Sequence, residues 1–164
     1  FFIFIFRRAT IMNKLIKTLG IIMFITIDNI GFSAELETEF LNSSDAFSQA
    51  VIVSAKGVKT IYLSGQVGIR DGAIPDSFVE QVEIVFANIA SQLDAADATL
   101  SDVIKLTGFI VDISSERLAD YSSVRSKFFS SDNPPPASTL IGVSGLVFPE
   151  LQVEVEAIAV IEDD

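Results

Sequence analysis

A chain of 164 residues with formal charge −11 and neither Cys nor His supports one domain. Without Cys or His there are no disulfides, thiolate nucleophiles or Ser–His pairs, and the commonest zinc ligands are missing. No metal and no cofactor are expected. The 22 acidic residues outnumber the 11 basic ones and no basic stripe is present. Such a surface repels a polyanion, so nucleic acid is not an expected partner.

In chain order, Phe1–Ile11 read as residues upstream of a start at Met12. From there Lys14 and Lys17 precede an apolar run, Leu19–Ile27, and the small residues Gly31, Ser33 and Ala34 follow. A short basic region, an apolar core of about 7–15 residues and small residues near a cut make a secretory signal. The run is broken by Asp28 after nine residues, well short of the roughly 20 a membrane span needs. Residues 12–34 are therefore expected to be a signal peptide cut near Ser33 or Ala34, with no stable membrane anchor. The mature chain would be exported, periplasmic or secreted; a cytoplasmic location is the alternative.

Residues 35–164 carry the domain. Phe47–Val53 and Val58–Ser64 are β-rich runs around Ala55-Lys56-Gly57, which reads as a hairpin. Gly65, Gly68 and Asp71-Gly72 mark a turn-rich loop. Ser77 and Glu80 form a capping box ahead of a five-turn helix with Val79, Val82, Phe86, Ile89, Leu93 and Ala96 on its inner face. Ile104–Ile113 is apolar enough for a strand covered on both faces. Ser115 caps a second helix with Leu118, Tyr121, Val124 and Phe128 inward. Pro134-Pro135-Pro136 is a connector that no helix crosses. Thr139–Val143 and Leu151–Val160 complete the order β-β-α-β-α-β-β. Two helices packed on one face of a mixed sheet, an α+β fold, satisfy that order economically.

The last strand holds the clearest functional pattern. Alternation puts Leu151, Val153, Val155, Ala157 and Ala159 on one face. Gln152, Glu154, Glu156, Ile158 and Val160 lie on the other, polar at one end and apolar at the other. A cleft or subunit interface crossing that face would produce the change; so would solvated carboxylates beside a rim of core.

Five stretches occur in the order and spacing of one family: Phe47-Ser48-Gln49-Ala50-Val51, Leu63-Ser64-Gly65-Gln66, Ser101–Thr107, Pro136-Ala137-Ser138-Thr139 and Val153-Glu154-Val155-Glu156-Ala157-Ile158-Ala159. Over Phe47–Val160 the chain resembles the RidA family, also called YjgF and formerly L-PSP endoribonuclease. The resemblance implies a chorismate-mutase-like α+β fold and a homotrimer with small-molecule clefts between subunits. It also implies hydrolysis of reactive enamines and imines, of the 2-iminobutanoate/2-iminopropanoate kind, to keto acids and ammonia. Carried over residue by residue, it makes Glu154 the catalytic group that positions water. Phe47, Ser64, Gly65, Ser122, Ser138 and Thr139 become substrate-binding positions. Phe47 stands where the family usually has Tyr, and Ser122 where it has Asn.

The main departure follows the prolines. Deaminases of the family carry Pro-Ala-Arg-Ser, whose guanidinium grips a substrate carboxylate through a bidentate pair; Ser138 takes the place of that Arg. A neutral or differently shaped imine or enamine, other than the usual amino-acid-derived one, is then the expected substrate. A trimeric binding protein without turnover is the alternative. The ribonuclease reading ranks last, given the charge and the missing His.

Overall fold

The computed structural model describes residues 35–129 and 134–163. The expected export segment and the residues before it lie outside this range. Six strands, β1 (Glu37–Ser43), β2 (Ser48–Ala55), β3 (Val58–Val67), β4 (Val103–Val111), β5 (Ala137–Val143) and β6 (Val153–Glu162), form one sheet in the order β1-β2-β3-β6-β4-β5. Every pairing is antiparallel except that of β4 with β5. Helices α1 (Phe78–Asp94) and α2 (Ser115–Phe128) pack together, and α1 lies on β3 and β6. Among these residues no helix is long and apolar enough to cross a membrane.

The hairpin forms where the sequence places it. Ala55 pairs with Val58, and Lys56 and Gly57 between them both have positive φ, 54° and 76°. Two left-handed residues make the tight turn that matches strand twist. Strand β1 was not expected. Its sequence, ETEFLNS, has no apolar alternation, and it pairs only with β2 at the sheet edge, almost wholly exposed.

The helices differ from expectation in detail. On α1, Val82, Phe86, Ile89 and Leu93 are fully buried, as the stripe requires, and Ala96 is buried just beyond the helix. Val79 is exposed and Phe78 is buried in its stead. The larger ring wins the first turn because the Arg117 guanidinium lies 5.0 Å over it, a favourable cation–π arrangement. Ser114, not Ser115, caps α2, accepting from the Arg117 amide at 3.2 Å. Tyr121 and Val124 face inward and Phe128 is half-buried, but Leu118 is exposed. Arg117 anchors that first turn instead, donating to the carbonyl of Val111 and, at 2.7 Å, to Gln152 Oε1.

The inner face of β6, from Val153 through Ala159, is buried against α1, as is Leu151 just before the strand. β4 departs from the expectation of two covered faces. Val103, Leu106 and Ile110 are buried, whereas Lys105, Thr107, Phe109 and Val111 on the other face are half-exposed. Both helices lie on one side, so a single subunit leaves the outer side of its sheet open.

Candidate functional site

The site begins with an irregularity in β3. Leu63 pairs with Ala157 and Gln66 with Val155: three steps on β3 against two on β6, hence one extra residue at Ser64-Gly65. A bulge of this kind re-aims the groups around it. Here it brings the Gly65 backbone beneath the Glu154 side chain. A methyl group on Gly65 would stand 1.8 Å from Glu154 Oε1 and 2.7 Å from its Cδ. Only glycine leaves room for the carboxylate in this position.

Glu154 is half-buried on the outer sheet face, opposite Phe109. Burial, and secondarily the charge of Glu156, push its carboxyl above the usual carboxylate range; desolvation and a like charge both disfavour the ionised form. The folded protein thus holds this proton more tightly than the unfolded chain does. Its stability therefore falls as pH rises from the ordinary glutamate range through the raised value. Glu154→Gln removes that penalty. The variant should resist urea better than wild type at pH 7, and the difference should vanish below about pH 4. Urea titrations at both pH values test this; a variant less stable at pH 7 contradicts it.

The other expected residues are more scattered. Ser64 donates its hydroxyl to the Ser48 carbonyl at 2.6 Å, which ties the bulge to β2. Phe47 is exposed in the turn before β2, where its carbonyl accepts from Ser44. Ser122 is exposed on α2 and returns its hydroxyl to the Leu118 carbonyl at 2.7 Å. Thr139 pairs with Thr107, which pairs with Glu156, so it shares the outer face with the two carboxylates. Ser138 pairs with Leu106, which pairs with Ala157, and so belongs to the helix side. One subunit therefore does not bring Ser138 to Glu154.

Sequence reading passed over Lys105 and Gln66. Lys105 Nζ donates to Thr139 Oγ1 at 2.5 Å and lines a cavity of about 250 Å³ with Tyr62, Thr107 and Glu156. The alternation of β4 could have placed it there. Gln66 is buried and donates to Gln49 Oε1 and the Ser64 carbonyl, both at 3.0 Å, bracing the bulge from within. Among the described residues no cluster of three or more His, Cys, Asp or Glu could hold a metal.

A mixed six-stranded sheet with two helices on one face, and a carboxylate held over a bulge glycine, define a chorismate-mutase-like α+β protein of the YjgF type. RidA from Psychrobacter sp. PAMC 21119 superposes with a TM-score of 0.62 at 30% identity, covering 73% of this chain and 91% of that one. Residues 38–161 match the Endoribonuclease L-PSP family, and the chain belongs to it. The RutC family protein YjgH of Escherichia coli (strain K12) is 34% identical over 98 residues, 59% of this chain and 73% of that protein. The 2-iminobutanoate/2-iminopropanoate deaminase of Dermatophagoides farinae is 33% identical over 119 residues, 71% of this chain and 86% of the relative.

Proposed function

We propose that this protein hydrolyses a reactive imine or enamine to a carbonyl compound and ammonia. The observation that carries the reading is the half-buried Glu154 carboxylate held against Gly65, with its proton affinity raised. A carboxylate tuned upward can take a proton from water at one step and return it at the next. With the imine nitrogen protonated, water oxygen bonds to carbon as Glu154 accepts one proton, giving a neutral amino alcohol. Glu154 returns that proton to nitrogen, the C–N bond breaks, ammonia leaves, and the remaining hydroxyl proton passes to solvent as the carbonyl forms. One water is consumed and no cofactor takes part. In this reading backbone N–H groups near Gly65 polarise the reacting group.

The relative from Dermatophagoides farinae supports the reaction class through its name. Ser138 argues for a substrate other than the amino-acid-derived imine, because no guanidinium stands at that position to hold a carboxylate. Ammonia release and carbonyl formation, measured on charged and neutral imines, test the proposal. Turnover should favour the neutral ones, and Glu154→Gln should lower it at least a hundredfold, within the range of general acid–base contributions. No turnover of any imine would leave the second reading, a small-molecule-binding protein using the same cleft, which the missing guanidinium favours.

The functional unit we infer is a homotrimer with its clefts between subunits. Two observations support assembly. The outer sheet face carries Tyr62, Phe109, Ile158 and Val160 half-exposed or exposed, and burying such residues is worth roughly 1.5–3 kcal/mol each. Ser138 and Glu154 also fall on opposite sides of one sheet, so a cleft using both needs two copies. Light scattering should give three times the subunit mass at micromolar concentration, and Ile158→Glu should shift it toward one. A stable wild-type monomer would refute this.

A further inference from the structure

Away from Glu154, on the helix side of the sheet, a cavity of about 380 Å³ opens between the end of α2, the 3-10 turn Leu100–Asp102 and the Pro134–Pro136 connector. Its volume falls within the range of small-molecule sites, about 300–1,000 Å³. Its walls are mainly apolar: Leu100, Val103, Phe128, Phe129 and the prolines. The two aromatic walls are fixed, because both rings pack on the fully buried Phe86, at centroid distances of 5.5 and 5.9 Å.

Arg125, in the last turn of α2, also lines this cavity. Its guanidinium lies 5.1 Å over the Phe129 ring, and its Nε is buried with no hydrogen-bond partner. Among the described residues the ion pairs are Lys59–Asp163 and Lys127–Glu83, and no described carboxylate pairs with Arg125. A buried donor without a partner is destabilising and calls for an explanation. An acceptor from outside the chain supplies one.

We propose that this cavity binds a small monocarboxylate with a planar apolar body, gripped by the Arg125 fork and stacked along Phe128 and Phe129. A carboxylate matches the planar guanidinium in a bidentate pair. Rigid aromatic walls suit a flat ring. The net charge of −11 disfavours polyanions at long range and penalises a single charge least. Within one subunit the cavity is separate from Glu154, which lies on the other face of the sheet.

Benzoate and its neutral isostere benzamide, titrated into the purified protein at pH 7 and followed by saturation-transfer NMR, provide the test. Benzoate should bind at least tenfold more tightly than benzamide. Arg125→Gln should weaken benzoate at least tenfold and leave benzamide unchanged. Arg125→Lys should fall between, keeping the charge but losing the fork. Glu154→Gln should bind like wild type. Ser101→Trp, which fills the cavity from an exposed position on its wall, should exclude both probes, and circular dichroism shows whether each variant folds. Should Arg125→Gln fail to fold, Ser101→Trp and the benzoate-to-benzamide ratio decide. Equal binding of the two probes, benzoate affinity unmoved by Arg125→Gln or Ser101→Trp, or loss of binding in Glu154→Gln would each overturn the proposal.

Discussion

Replacing Gln81 by leucine should destabilise the domain by about 2–4 kcal/mol, although the two side chains are close in size. Gln81 is fully buried on α1. Its Nε2 donates to the carbonyls of Pro75 at 2.8 Å and Glu150 at 2.9 Å, and its Oε1 accepts from the Gln152 amide at 2.8 Å. One side chain thus satisfies three backbone groups of the loops entering α1 and β6. Leucine would leave all three without a partner, at about 1–3 kcal/mol for each that water cannot reach. Pro75 and Gln152 are half-buried and Glu150 is exposed, which keeps the total toward the lower end. Out of a typical stability of about 5–15 kcal/mol the loss is large. Because Gln152 leads into Glu154, the site should loosen too. A urea midpoint within error of wild type would show that the network contributes nothing.

Gln81 also illustrates where a sequence stops being informative. The stripe on α1 was legible because burial repeats with the helical period, but a glutamine amid such a stripe reads as a boundary residue. Its partners Glu150 and Gln152 lie 69 and 71 residues away, and no local pattern points to them. Strand β6 was legible for the opposite reason: a central strand buried on one face writes its register directly as alternation. Strand β1, paired on one side and exposed, leaves almost no such imprint. Of the candidate site, resemblance names Glu154 and Gly65 separately; that the two touch is seen only in the structure, through a bulge that the strand pairing shows. The side taken by Ser138 depends on the parallel register of β5 with β4, set by the long connection through α2 and equally invisible in local sequence.

That register sharpens what Ser138→Arg should do. The variant should raise catalytic efficiency on imines bearing a carboxylate by ten- to a hundredfold, and should do little for neutral imines. A charge-assisted hydrogen bond contributes about 1.5–3 kcal/mol, and each 1.4 kcal/mol is tenfold. Since Ser138 pairs with Leu106 on the helix side and Glu154 with Phe109 on the outer side, the new guanidinium should serve the Glu154 of a neighbouring subunit. Two consequences separate this from a change within one subunit. The double variant Ser138→Arg/Glu154→Gln should lose the gain when assembled alone, because none of its clefts has the carboxylate. Mixed and reassembled with wild type it should recover part of that gain, because some clefts then combine the guanidinium of one subunit with the Glu154 of another. Steady-state ammonia release on the pure and mixed assemblies measures both. A gain that survives Glu154→Gln removes Glu154 from the chemistry. A double variant that stays silent in mixed assemblies removes the shared cleft. A folded Ser138→Arg variant with no gain on any carboxylate-bearing imine moves the binding-protein reading ahead of the enzyme.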